Sequence, residues 1–355
     1  MSTKKRVTLK MIAEKVGTSV GTVDRAINNR PGISGEIKKN ILQAAETLGY
    51  RPNKVASALG RQKTIRLGIV FPETPWEFYE SIDAGIEKAK EELQDYGVEI
   101  EKIRYQSQLP SYSREILSKI ELERFDGFAV NAAGVGASIE IDRFITAGVP
   151  TITFNTDCPE SRRIFFIGNN SRVSGYVGAE LLITFLGGKG NVITLGNFAM
   201  TTPFLERFGG FSEYLQENPS EIKLYPPAEC FSEPGLAKQR LKELICQTEN
   251  EIHGVFCTGY SSTVGAIQAM EELGREDIVV VGYDLTATTA EALKKGVLNA
   301  LLYQEQFEQG YLAAKLLARY ILEGWVPDRQ RIHVDTHIVL KSNVQSFLDR
   351  AFYKY

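Results

Sequence analysis

A chain of 355 residues with 43% hydrophobic and 24% charged residues is long enough for more than one core, and too apolar and too weakly charged (net −3) to be disordered. The charge is unevenly placed: residues 1–63 hold 13 Lys+Arg against 4 Asp+Glu, so a head of +9 precedes a body of −12. This asymmetry excludes a uniformly charged surface and is expected when only one end of a protein approaches phosphates.

In chain order, Leu9, Ile12, Ala13 and Val16 fall at i, i+3, i+4, i+7, the apolar stripe of a short amphipathic helix, with Thr8 placed to cap it. Gly17 supplies the residue that tolerates positive φ between crossing helices, and Ser19 can cap a second helix in which Val23 and Ile27 point inward. A third helix over Gly35–Leu48 carries Ile37, Ile41, Ala44, Ala45 and Leu48 as its apolar stripe. The pattern predicts a helix-turn-helix whose second helix offers its N-terminal Val20 and Gly21, and Arg25, to base edges in the major groove. Thr8, Ser19, Thr22, Asn28 and Ser34 are the polar groups placed for phosphates. Pro52 stops a helix and Asn53 can cap another, in which Val55, Ala56 and Leu59 form a short apolar face ended by Gly60. Such a short helix is marginal alone.

Thr-Leu-x-x-Ile-Ala from Thr8, Gly17-Thr-Ser19, Thr22-Val-x-Arg-x-Ile-Asn28 and Leu48-Gly-Tyr-Arg-Pro-Asn-Lys-Val-Ala-Ser-Ala-Leu59 resemble the LacI/GalR family of bacterial transcription regulators. The resemblance is strong over the first 60 residues and weaker beyond. It implies that the segment after Asn53 is a hinge helix formed on operator DNA in a homodimer, with Leu59 wedged into the minor groove. The chain departs from the family at Val20, Gly21 and Asp24; an acidic group there must pair with a cation such as Arg25 or accept from a cytosine amino group.

From Thr64 onward, short apolar runs alternate with helical stretches, which predicts parallel sheets covered by helices. Strands are expected at Ile65–Phe71, Val98–Tyr105, Gly127–Asn131, Thr151–Phe154, Asn191–Leu195, Gly254–Thr258, Ile278–Val281, Leu298–Tyr303 and, alternating, Arg331–Leu340. Intervening helices are expected over Ser81–Tyr96, Arg114–Glu123, Arg172–Phe185, Leu236–Cys246, Ser262–Leu273 and Gln309–Leu322. The resemblance implies an all-α helix-turn-helix head (1–52), a hinge (53–63) and a periplasmic-binding-protein-like α/β core (64–355) of two doubly wound parallel-sheet lobes. Lobe one would hold about 64–158 and 288–323, and lobe two about 163–286 and 327–342, with crossovers near Asp157–Arg163, Leu285–Thr289 and Glu323–Asp328.

Ligands of open α/β sheets bind beyond the carboxyl ends of the strands. The residues there form a coherent set: Trp76, Phe78 and Tyr79 after the first strand, Asn131 after the third, Asn155-Thr-Asp157 after the fourth, Asp284 and Gln304 after two later ones. A sugar requires flat apolar faces and paired hydrogen bonds to its hydroxyls, and this set offers both. By resemblance to ribose- and galactose-type domains, Phe78 and Tyr79 align with stacking aromatics, and Asn131, Asp157, Arg207, Asp284 and Gln304 with hydroxyl-binding positions. Asp284 could alternatively cap a helix, and Phe78 could be lobe core. Trp76, in a loop where an exposed indole is unusual, reads as a ligand contact. Arg162-Arg163 leaves phosphorylated ligands open, beside the plainer reading of a solvated loop.

Gly187-Gly-Lys-Gly190 lacks the P-loop's spacing and reads as a helix end before a strand, and His333 and His337 fall on one strand face without further metal ligands. No nucleophile–base set, metal motif or phosphate cradle points to an enzyme, and no cofactor is expected. Cys158, Cys230, Cys246 and Cys257 show no paired spacing, and there is no secretory signal or membrane-length apolar run, so a cytoplasmic location is expected. The reading is a sugar-responsive, dimeric DNA-binding regulator without membrane association. The alternative is a solute-binding protein for sugar uptake. Lys341–Tyr355 is too short for a tetramerising coil.

Overall fold

The computed structural model describes residues 8–27, 31–48, 64–106, 110–131, 135–197, 201–248 and 251–353. The chain forms two compact units, Met1–Gln62 and Lys63–Tyr355.

In the first unit, α1 (Leu9–Val16), α2 (Val20–Ile27) and α3 (Gly35–Leu48) share a core of Ile12, Ala13, Val23, Ala26, Ile41 and Ala44. Thr8 caps α1 by accepting from the Met11 N–H, and Gly17 ends it at φ 70° in the left-handed region that glycine enters without cost. Ser19 accepts from the Thr22 N–H, starting α2. One expectation fails here. Ile37 is 42% exposed, because Ile33 from the preceding loop packs on the core instead. The expected hinge helix and Asn28, Asn53 and Leu59 lie outside the described residues.

The second unit has two sheets. The strands β1 (Ile65–Pro72), β2 (Val98–Tyr105), β3 (Gly127–Val130), β4 (Thr151–Phe154), β5 (Phe166–Asn169) and β12 (Arg331–Val334) form a parallel sheet in the order β12-β5-β4-β3-β1-β2. In the second sheet β6 (Lys189–Gly196), β7 (Glu221–Leu224), β9 (Ile252–Cys257), β10 (Val279–Tyr283), β11 (Ala300–Tyr303) and β13 (His337–Val339) run in the order β13-β11-β10-β9-β6-β7. The short β8 (Ala228–Glu229) also pairs with β6, and β13 alone is antiparallel to its neighbour. In each sheet the first strand in sequence lies between two later ones, β1 between β2 and β3 and β6 between β7 and β9, which sets a topological switch point beside β1 and beside β6.

Helices cover both faces of each sheet, as the crossover connections between parallel strands require. In the first lobe α4 (Trp76–Leu93) packs on one face, and α5 (Pro110–Ser118) and α6 (Val135–Thr146) cover the other. In the second lobe α7 (Ser171–Leu186) and α8 (Thr202–Glu217) lie on one side, and α9 (Pro234–Gln247), α10 (Tyr260–Leu273), α11 (Ala287–Lys295) and α13 (Val344–Tyr353) on the other. The lobes exchange helices: α7 follows β5 of the first sheet but packs on the second, and α12 (Gln306–Glu323) follows β11 but packs against α4.

The crossovers therefore fall at residues 169–171, 303–306 and 334–337, later than expected. The first is displaced because the buried run Phe166–Asn169 is a strand paired with both β4 and β12. The second is displaced because α11 and β11 stay in the second lobe, where β11 pairs with β10. The expected single strand Arg331–Leu340 is two, split between the sheets, so His333 and His337 share no face. Gly187 and Gly188, at φ 64° and 81°, close α7 just before β6.

Candidate functional site

The carboxyl ends of both sheets face one cleft of about 620 Å³, counting its open mouth. From the first lobe come Phe78 of α4, Asn131 after β3 and Asn155 after β4; from the second, Arg207 of α8, Asp284 after β10 and Gln304 after β11. Asn155 and Asp284 leave their strands at φ 60° and 71°, a left-handed step that Asn and Asp take more readily than other side-chain-bearing residues. Each turn ends strand pairing and leaves the polar side chain at the cleft.

These groups form one hydrogen-bonded chain. Arg207 donates to the Thr258 carbonyl (2.6 Å) and to Gln304 Oε1 (3.0 Å). Gln304 Nε2 donates to Asp284 Oδ1 (2.7 Å), which also accepts from Gln306 (2.9 Å). The Gln304 carbonyl accepts from Gln309, which in turn accepts from Asn155, and Asn155 Oδ1 accepts from Asn131 at 3.0 Å. The residues at the second crossover thus tie the polar groups of the two lobes together. Burial pushes the Asp284 carboxyl up to about 6, against the pull of the Arg207 charge and the Gln304 hydrogen bond. The Arg207 guanidinium also lies over the Tyr283 ring, 4.2 Å from its centroid.

Of the eight ligand candidates read from sequence, Phe78, Asn131, Arg207, Asp284 and Gln304 line the cleft. Three do not. Tyr79 is fully buried in the first-lobe core, one position out of phase with Phe78 on α4. Trp76 stands 44% exposed with the Arg104 guanidinium 5.2 Å from its ring, which supplies the partner its indole calls for. Asp157 is buried outside the cleft, where it takes a paired hydrogen bond from Arg163 and one from Thr153. Arg163 is accordingly not solvated, and it is unavailable to a phosphorylated ligand in the cleft.

Sequence reasoning missed Phe204, Asn197, Thr201, Ser232 and Tyr260, which also line the cleft. The rule that found Asn131 would have found Asn197, which follows β6 directly. Cys158 and Cys230 are free and buried, and burial pushes both thiols up to about 12; Cys257 is raised further for the same reason, and Cys246 is exposed. Among the described residues, no group of three or more His, Cys, Asp and Glu side chains is placed to hold a metal ion, and no helix is long and apolar enough to cross a membrane.

In the first unit, the start of α2 is presented outward: Ser19, Val20, Gly21 and Arg25 are exposed and Thr22 half-buried. Thr8 and Ser34 are also exposed, and each spends its hydroxyl oxygen on a helix-start N–H. Residues 8–53 match the bacterial regulatory proteins of the lacI family, and residues 67–324 match the periplasmic binding protein domain. The chain joins a lacI-family DNA-binding domain to a core of the periplasmic binding protein domain family. This regulator is 26% identical over 347 residues to the HTH-type transcriptional repressor PurR of Pasteurella multocida (strain Pm70), a match that covers 96% of this chain and 99% of the relative. It is 23% identical over 345 residues to the ribose operon repressor of Lactococcus lactis subsp. lactis (strain IL1403), covering 95% and 98%. Among solved structures, the regulator resembles a glucose-galactose binding protein from Geobacillus stearothermophilus (TM-score 0.74, 21% identity, 79% of this chain and 99% of that one). It also resembles a solute binding protein from Bacillus halodurans C-125 with bound myo-inositol (TM-score 0.73, 20% identity, 82% and 99%). At these identities the likeness concerns the fold. The lacI-family regulator is a DNA-binding transcription regulator with a two-lobed effector core.

Proposed function

We propose that this regulator represses transcription by binding a pseudo-palindromic operator as a homodimer, and that a small sugar or polyol in the interlobe cleft controls it. The observation that carries the ligand class is the convergence of Asn131, Asn155, Arg207, Asp284 and Gln304 from both lobes on a cleft that Phe78 and Phe204 also line. Carboxylate, guanidinium and amide groups give paired hydrogen bonds to vicinal hydroxyls, and aromatic faces take the ring C–H groups. Arg25, exposed on α2, is the base-reading candidate, with Val20 and Gly21 at the helix start. Thr8, Ser19, Thr22 and Ser34 are phosphate contacts that set register. The place of action is the cytoplasm, where the operator lies.

A relationship to sugar-binding proteins of uptake systems accounts for the core alone. The head of net charge +9 favours the regulator. The test is selection of random duplexes on the full-length protein, followed by anisotropy titration of the enriched sequence across salt, with and without neutral sugars and polyols. A symmetric enriched site whose affinity falls steeply with salt and responds to one such compound is expected. No enrichment over non-specific duplex would overturn the DNA reading, and a response confined to charged metabolites would overturn the ligand class.

A further inference from the structure

Beside the polar chain just described, the second-lobe wall of the cleft holds groups it leaves unused. Asn197 follows β6 at the switch point, and Thr201 is the N-cap residue of α8; they are 2% and 5% exposed. Asn197 Nδ2 donates to Ser232 Oγ at 2.7 Å, but its Oδ1 is buried without a hydrogen-bond partner. The Thr201 hydroxyl makes no capping bond to α8 and is likewise buried and unpartnered, as is Arg207 Nε. All three residues line the same cleft.

Buried polar atoms are nearly always satisfied, so three on one cavity wall call for a ligand group that satisfies them. The chemistry narrows that group. A carbonyl oxygen on Asn197 requires a donor, Arg207 Nε requires an acceptor, and a threonine hydroxyl serves as either. A phosphate dianion or carboxylate accepts only, and an ammonium donates only. A neutral hydroxyl does both. The backbone is bent to build this corner: Phe231 and Ser232 are consecutive residues at φ 48° and 62°, and they bring Ser232 within reach of Asn197.

We infer that Asn197 and Thr201 form a hydroxyl-reading subsite that selects uncharged, hydroxyl-bearing ligands and discriminates against deoxy and phosphorylated analogues. The inference rests on the sugar reading above and adds to it a specificity determinant on β6 and α8. A ligand lacking the hydroxyl leaves the buried atoms unsatisfied, a loss of about tenfold or more in affinity.

The experiment uses the full-length protein with D-ribose, D-arabinose, D-glucose, D-galactose and myo-inositol, the monodeoxy counterparts of the aldoses, and D-ribose 5-phosphate. Binding is read by thermal shift and calorimetry. Thr201→Val removes the hydroxyl at constant shape, and Asn197→Ala removes the amide. Both are expected to weaken the tightest neutral probe about tenfold or more, with the unliganded melting temperature of Thr201→Val unchanged or raised. One monodeoxy probe is expected to lose a similar factor on the wild type and little more on Asn197→Ala. Affinities within twofold of wild type for every probe in both variants would overturn the subsite while leaving the sugar reading intact. If no neutral probe shifts the wild-type melting temperature, the sugar reading falls and the subsite with it; tightest binding of the phosphate ester overturns the subsite's chemistry.

Discussion

Asp284 is fully buried, held at φ 71°, and accepts hydrogen bonds from two glutamines through one oxygen. Because burial raises its folded pKa from 3.8 to about 6, the protonated form is the one that folding favours. Its contribution to stability is full below about pH 4 and is lost as pH rises through about 6, an effect on the order of 3 kcal/mol. Asp284→Asn keeps the shape and one acceptor oxygen, so the variant is expected to melt at or above the wild-type temperature at pH 7.5. Near pH 4 that gain should disappear, while sugar affinity falls at least tenfold at neutral pH; denaturant titrations across pH and calorimetry check both. A carboxylate retained at such a cost to stability fits a group kept for binding. On the other unit, Arg25 is exposed on α2. Arg25→Ala should weaken operator binding by about 1–3 kcal/mol and relax base preference at one position, with sugar affinity unchanged. Equal loss of both in the two titrations would make Arg25 structural.

At the scale of elements, two helix pairs cross almost backbone to backbone. A Cβ on Gly175 of α7 would lie 2.1 Å from the Arg207 carbonyl of α8, and one on Gly210 of α8 the same distance from the Arg172 carbonyl. Gly85 and Gly310 make the corresponding crossing of α4 and α12 in the first lobe, at 2.0 and 2.2 Å. The neighbour in each case is backbone, which cannot rotate away. Gly175→Ala must therefore push α8 outward, with a destabilisation of about 1–3 kcal/mol. Since α8 carries Arg207 and Thr201 stands at its start, sugar affinity should fall as well, readable by denaturant titration and calorimetry on one preparation. Gly21 on α2 is the contrast. An added Cβ there meets nothing nearer than Ser19 Oγ at 3.8 Å, so Gly21→Ala should stabilise the head by up to about 1 kcal/mol. A concurrent loss of operator affinity would mark Gly21 as a point of close approach to DNA.

For the effector core as a whole, the lobes touch through polar contacts beside the cleft. Glu77 at the start of α4 accepts from Thr288 of α11 at 2.9 Å. Burial acts to raise the Glu77 carboxyl, but the hydroxyls of Thr288, Tyr260 and Thr286 outweigh it and hold it below the usual range. Elsewhere Arg331 of β12 bridges Asp157 (3.2 Å) and Glu206 of α8 (3.5 Å). A ligand can shift lobe closure only by the difference in its affinity for the two arrangements, so these contacts set the starting balance. Glu77→Ala should open the unliganded core, seen as a larger radius of gyration in small-angle scattering, and raise the ligand concentration needed for response. An unchanged radius would mean that the polar chain through Gln304 and Gln309 holds the lobes by itself. Light scattering is expected to give the mass of two chains; a mass near four would contradict the proposed dimer.

The three-helix head was legible because it depends on local chemistry: a Thr cap, a left-handed Gly and apolar residues at helical spacing are decided within a few neighbours. Alternating apolar runs and helices likewise announced parallel sheets, and residues after strand ends marked Asn131, Asp284 and Gln304 before their partners were known. What sequence could not determine was phase and partnership across long separations. Phe78 and Tyr79 are adjacent aromatics, both buried in the first-lobe core, and only the rotation of α4 against its sheet makes Phe78 line the cleft as well. Asp157 looked like a ligand group until Arg163 claimed it, and Phe166–Asn169 became a strand of the first sheet only by pairing with β4 on one side and Arg331–Val334 on the other. Local propensity is set by the backbone and its near neighbours; assignment of a side chain to core, ion pair or cleft is set by which surfaces meet, and that is a property of the folded chain alone.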